Sequence, residues 1–105
     1  MQSLTYNFRD HEKGDTLNEV EFQLIINTIP VNITGVVIKS VFSIGNQSNV
    51  MSIGSGMAFT DPVLGKFKIN RQIINWERGS WIFEISFTFL DGTVKTYLKG
   101  QINII

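Results

Sequence analysis

Cysteine is absent from these 105 residues, histidine occurs once, proline twice, and nine basic side chains are balanced by nine acidic ones. Without cysteine there is no disulfide framework, no thiol nucleophile and no thiolate-ligated zinc, and the redox compartment is left open. A net charge of zero provides no field to gather nucleic acid or an anionic membrane surface, so neither is expected as a partner. The start, Met1-Gln2-Ser3-Leu4-Thr5-Tyr6, has neither the basic opening nor the apolar stretch of a secretion signal. No run approaches the length of a membrane span, and the expectation is a soluble chain. Helical periodicity is missing too: no segment sustains apolar residues at i, i+3, i+4 and i+7 over two turns. Only residues 71–78 leave room for a short helical turn.

What the chain does contain is apolar residues, 43% of the total, including eight phenylalanines and two tryptophans. That is enough for one domain, residues 1–105, to bury a core without staples. The clearest local signal is in the C-terminal third, where Trp81, Phe83, Ile85, Phe87 and Phe89 alternate with mostly polar or small neighbours before Asp91-Gly92. Period-2 alternation followed by Asp-Gly reads as a hairpin closed by a two-residue type I′ turn. The implied pairs are Phe89 with Val94, Phe87 with Thr96, Ile85 with Leu98, Phe83 with Gly100 and Trp81 with Ile102. On the opposite face Thr88 meets Lys95, Ser86 meets Tyr97 and Glu84 meets Lys99, the last as an ion pair. Phe83 over Gly100 fits an aromatic ring covering exposed glycine backbone.

Similar alternation marks Leu4, Tyr6 and Phe8, then Val20 to Ile26, with the polar run from Asp10 to Thr16 between them as a loop. Asn27 to Gly35 carries turn chemistry, and Pro30 suits a connection better than a central ladder. Val36 to Ile44 reads as a strand buried on much of both faces. Gly54-Ser55-Gly56 makes Val50 to Thr60 a bent or bulged strand, Asp61-Pro62-Val63-Leu64-Gly65 a turn, and Lys66 to Asn70 another strand. Strands recurring every about 8 to 14 residues, with turns between them, predict an all-β fold. Two sheets packed face to face bury both sets of aromatics, which makes it an immunoglobulin-like β-sandwich of about seven to eight mostly antiparallel strands.

Catalytic chemistry finds little to build on. His11 stands among Asp10, Glu12 and Asp15, but consecutive loop residues seldom converge on one centre and the spacing matches no metal loop. One histidine and no nucleophile elbow argue against a hydrolytic triad. Gly54-Ser55-Gly56 lacks the lysine and following helix of a phosphate loop. Asn32-Ile33-Thr34 and Asn46-Gln47-Ser48 match the glycan acceptor pattern but read as turns. The expectation is no catalytic residue, no cofactor and no metal. Trp81 is in register with the core of its strand, whereas Trp76, beside Arg78, has the chemistry to stack on a sugar ring or a partner's proline.

Taken in order, Gly14-Asp15-Thr16, Phe22-Gln23-Leu24, Pro30 to Gly35, Asp61-Pro62, Gly65-Lys66-Phe67, and Gly79-Ser80-Trp81 through Glu84, Phe87 and Phe89 to Asp91-Gly92-Thr93 form a pattern. It is similar to the N-terminal domain of phage baseplate upper proteins and related phage tail domains, over roughly Gly14 to Ile105. Trp81 departs from that pattern, in which tyrosine is the more frequent residue. The helical stalk and receptor-binding-protein docking region of longer relatives lie outside the match. The resemblance implies a non-enzymatic structural module of a phage or prophage tail or baseplate, made in the bacterial cytoplasm and located in the virion. Its partners would be other tail or baseplate proteins or further copies of itself. Expected contact residues are Tyr6 and His11 near the N-terminus, Trp76 and Arg78, and Ile104 on a final strand whose edge is free to pair. The rival reading is a carbohydrate- or peptide-binding sandwich centred on Trp76 and Arg78.

Overall fold

A computed structural model describes residues 4–105, and the regular structure within them is all strand apart from one short 3-10 turn. In chain order the strands are β1 (Leu4–Asn7), β2 (Thr16–Leu17), β3 (Val20–Gln23), β4 (Ile25–Ile26), β5 (Ile29–Pro30) and β6 (Val37–Ile44). They continue with β7 (Gln47–Ile53), β8 (Gly56–Asp61), β9 (Lys66–Ile69), β10 (Gln72–Ile73), β11 (Gly79–Thr88) and β12 (Val94–Ile104). Eight of them make one sheet in the order β1-β12-β11-β6-β7-β8-β9-β3, while β10 pairs with β2 and β4 with β5. All pairs are antiparallel except β1 with β12 and β7 with β8.

The sheet doubles over into two layers. Phe67 of β9 meets Phe87 of β11 edge-on at 5.6 Å, and the Ser40 hydroxyl of β6 donates to Met57 Sδ of β8 at 3.2 Å. The chain is thus the all-β sandwich its alternation predicts, with a difference in construction. Its layers are halves of one ladder rather than separate sheets, joined where Ser52 pairs with Gly56 and Ile53 with Met57. Gly54 and Gly56, at φ 89° and 88°, allow the tight loop between the parallel β7 and β8, in the segment that reads as bent in the sequence. Alternate residues of the central strands, Ile38 and Phe42 on β6 with Trp81, Phe83, Ile85 and Phe87 on β11, are buried between the layers. Trp81 also satisfies its indole, which donates to the Glu77 carbonyl at 2.8 Å.

The last hairpin follows the sequence expectation at its base and departs from it at its tip. Trp81–Ile102, Phe83–Gly100, Glu84–Lys99 and Ile85–Leu98 are paired as expected, and Glu84 and Lys99 lie 3.8 Å apart on the solvent face. Beyond a bulge at Ile85/Ser86 the partners become Ser86–Thr96, Phe87–Lys95 and Thr88–Val94. The loop is not a two-residue type I′ turn. Phe89 N–H donates to Thr93 O and Gly92 N–H to Phe89 O, which is a three-residue loop with Gly92 at φ 88° forming a G1 bulge. The longer loop moves the pairing by one residue and the bulge moves it back, leaving Tyr97 as the extra residue. A type I′ turn does occur, at Asn27-Thr28 between β4 and β5, where both residues have positive φ, 53° and 65°.

Two further expectations are corrected. Residues 71–78 hold no helical turn, since Ile74 is buried and its main chain bonds to Gly14 N–H and Asp15 O, which keeps the segment extended beside β2. The 3-10 turn is at Pro62–Leu64, closed by Gly65 in the left-handed region. The edge of the final strand is not free: β1 pairs with it in parallel, from Leu4 opposite Leu98 to Asn7 opposite Gln101. The pairing continues through Phe8 N–H to Gln101 O, His11 N–H to Asn103 O and Ile105 N–H to His11 O, each 2.9 Å. The run from Asp10 to Thr16 is therefore only partly a loop. Phe8, in contact with Phe42 and Phe83, anchors this stretch, a burial worth about 1.5 to 3 kcal/mol.

Candidate functional site

Because the sheet curls, its two end strands approach each other across the layers. β1 has β12 as its sheet neighbour and β3 has β9, and neither has a partner on its other side among the described residues. The Tyr6 ring meets Phe22 edge-on at 5.4 Å and closes one end of this seam. Next to that contact opens a cleft of about 460 Å³. Leu4, Phe87, Tyr97 and Leu98 wall it from one layer, and Phe22, Gln23, Leu24, Ile25 and Phe67 from the other.

Each wall follows from local structure. The extra residue in β12 turns Tyr97 toward Phe87 and Phe89, at 5.5 and 6.3 Å, where regular pairing would have set it on the solvent face beside Ser86. The Asn27-Thr28 turn pairs β4 with β5, and Ile25 of β4, about half exposed, lines the cleft. Gln23 is held by its side-chain amide, which donates to Leu64 O at 2.9 Å. Among the described residues no charged side chain lines the cleft.

The free edges can be read from the hydrogen bonds. Phe8 N–H points to β12, so by strand alternation the N–H and C=O of Tyr6 do too, and those of Thr5 and Asn7 face the other way. On β3, Leu24 N–H donates to Gly65 O in register with the β3–β9 ladder, which turns the main-chain groups of Glu21 and Gln23 outward. The arrangement can bury apolar surface and complete a ladder.

Of the five contact residues expected from sequence, only Tyr6 lies at the seam. Ile104 is 2% exposed and His11 9%, so both are interior positions rather than surfaces for a partner. His11 Nε2 lies 2.9 Å from the Asp15 carbonyl, which can only accept, so this nitrogen is the donor of the bond. Trp76 is half-buried, wedged between Phe42 at 5.0 Å and Trp81 at 5.2 Å, while Arg78 is exposed beside it. Leu4 belongs to the first strand, which the sequence offers as a contact surface, whereas the cleft-forming Phe22, Leu24, Tyr97 and Leu98 are not singled out as contacts by sequence. The one available signal is the strand Leu4-Thr5-Tyr6-Asn7, which has no charge, proline or glycine to blunt an edge.

No family model and no curated protein matches the chain. A solved structure described as "a putative glycoside hydrolase from Bacteroides vulgatus ATCC 8482" is similar to it in fold, with a TM-score of 0.56 at 16% identity. The match covers 92% of this chain and 16% of that one, so the chain corresponds in size to one small part of the larger protein.

Proposed function

We propose that this chain is a non-enzymatic assembly module, a phage or prophage tail or baseplate part that holds its place through protein–protein contacts. The observation that carries the reading is the seam, a cleft that among the described residues is uncharged and apolar and lies beside two strand edges with no second partner. A surface of this kind suits protein contact better than small polar substrates, because it offers main-chain hydrogen bonds along a line and apolar depth beside it. The carbohydrate-binding rival needs an exposed aromatic platform, and the Trp76 ring is half-buried against Phe42 and Trp81.

The test is cross-linking and quantitative mass spectrometry on particles purified from the host that encodes the chain. The reading expects the chain at a fixed copy number per particle, cross-linked to other tail or baseplate proteins. Its absence from purified particles while it is abundant in the lysate overturns the reading.

A further inference from the structure

We infer that the seam receives an extended, uncharged arm of a partner protein, which adds to the free edge of β1 and places alternate apolar side chains in the cleft beside Leu4. The inference rests on the assembly reading and names the chemistry of what the module holds.

Three observations select this occupant. Main-chain groups of Thr5 and Asn7 point away from β12, and β1 has no charge, proline or bulge to repel a strand. By contrast β3 carries Glu21, and the Glu19–Lys68 ion pair at 2.8 Å stands next to it, so β1 is the edge that admits a neutral strand. Among the described residues the cleft wall has no charged side chain, so an arm bringing an unpaired charge would lose its hydration with nothing in return.

Size supports the same choice. The cleft, about 460 Å³, has about three times the ~150 Å³ that holds a single benzene ring, which is room for two or three large apolar side chains. In a strand, residues i, i+2 and i+4 share a face and supply such a set. A second copy is a poor occupant. Edge-to-edge pairing through β1 would use four residues, a strand about 13 Å long, far short of the roughly 1,600 Å² of a standard stable interface. An arm reaches the same hydrogen bonds and fills the cleft as well.

The probe is a fluorescein-labelled nine-residue peptide alternating leucine and threonine, with lysines at its ends for solubility. Binding to the whole chain is read by anisotropy. The expected result is saturable binding with Kd at or below about 100 μM, a modest affinity suited to a short arm that pays its ordering entropy on binding. Thr5→Pro removes an N–H that the ladder with β12 does not use, and Leu4→Asp sets a charge at the cleft mouth. Both sites are exposed, so melting of each variant near the wild-type temperature shows the fold intact. Each change is expected to weaken binding at least about tenfold, and a peptide with prolines at alternate threonines should not bind.

No saturation up to about 1 mM overturns the inference, as does equal binding by the proline peptide or by Thr5→Pro. A dimer in light scattering that Thr5→Pro dissociates overturns it in favour of a second copy. Presence of the chain in particles without peptide binding removes this inference alone, whereas peptide binding by a chain absent from particles removes the assembly reading alone.

Discussion

Gly100 of β12 lies opposite Tyr6 of β1, and a Cβ at this glycine would overlap the Tyr6 carbonyl oxygen and stand 2.7 Å from Phe83 Cε1. Glycine is required here by close approach on two sides, from the parallel strand and from the ring that covers it. Gly100→Ala is expected to lower stability by about 1 to 3 kcal/mol, the usual cost of overpacking. Thermal melting measures the loss. Hydrogen exchange should place the damage in Leu4–Asn7, because moving β1 outward relieves the overlap.

Thr28 carries the opposite kind of strain. It is β-branched at φ 65°, in a turn whose second central position favours glycine. Thr28→Gly is expected to raise stability by about 0.5 to 1 kcal/mol and Tm by about 3 to 6 °C. A chemical denaturation series on both proteins measures the gain.

Asp91 accepts a hydrogen bond from Thr93 N–H at 2.9 Å, and this bond, followed by one from the Thr93 side chain, holds its carboxyl below the usual 3.8. A lowered carboxylate contributes its stability above the unfolded-state pKa and loses it as pH falls through the folded-state value. The difference in stability between wild type and Asp91→Ala should therefore stay constant from pH 7 to about 5 and shrink below about 4. Denaturation midpoints across this range check the sign.

Trp76→Ala is expected to act on stability rather than on ligand binding. Its ring bridges Phe42 and Trp81, and partial burial puts the loss at about 2 to 4 kcal/mol, slightly under that for a fully buried ring. A glycan screen on wild type and variant, together with their melting curves, separates the roles: specific glycan binding abolished by the change would contradict this account.

The elements legible in the sequence were those set by neighbours along the chain. Alternation from Trp81 to Phe87 identified the buried face of β11, and Pro62 with Gly65 identified the turn before β9. Asp91-Gly92 does not fix the loop length, because Asp-Gly serves a three-residue loop as well as a two-residue one, and Gly92 occupies the left-handed position in the loop that forms. The bulge that then turns Tyr97 inward depends on how the hairpin packs against Phe87 and Phe89, and the local pattern carries no trace of it. The seam was hidden for a related reason. It exists because residues 4–7 pair with 98–101 and the far end of the sheet curls back, two relations spanning nearly the whole chain. The same pairing buries Ile104 and His11, which by local composition read as a strand end and a polar loop.

Residue-resolved amide exchange by NMR, with and without the alternating leucine–threonine peptide, tests the seam most directly. In the free protein Tyr6 and Phe8 should be protected and Thr5 and Asn7 should exchange rapidly, reporting which side of β1 is paired. With peptide, Thr5 and Asn7 should gain protection while Ile82 and Glu84 on the outer face of β11 stay unchanged. Protection appearing only elsewhere, or none at Thr5 and Asn7 under saturating peptide, would contradict the claim that this edge is where the module takes hold of its partner.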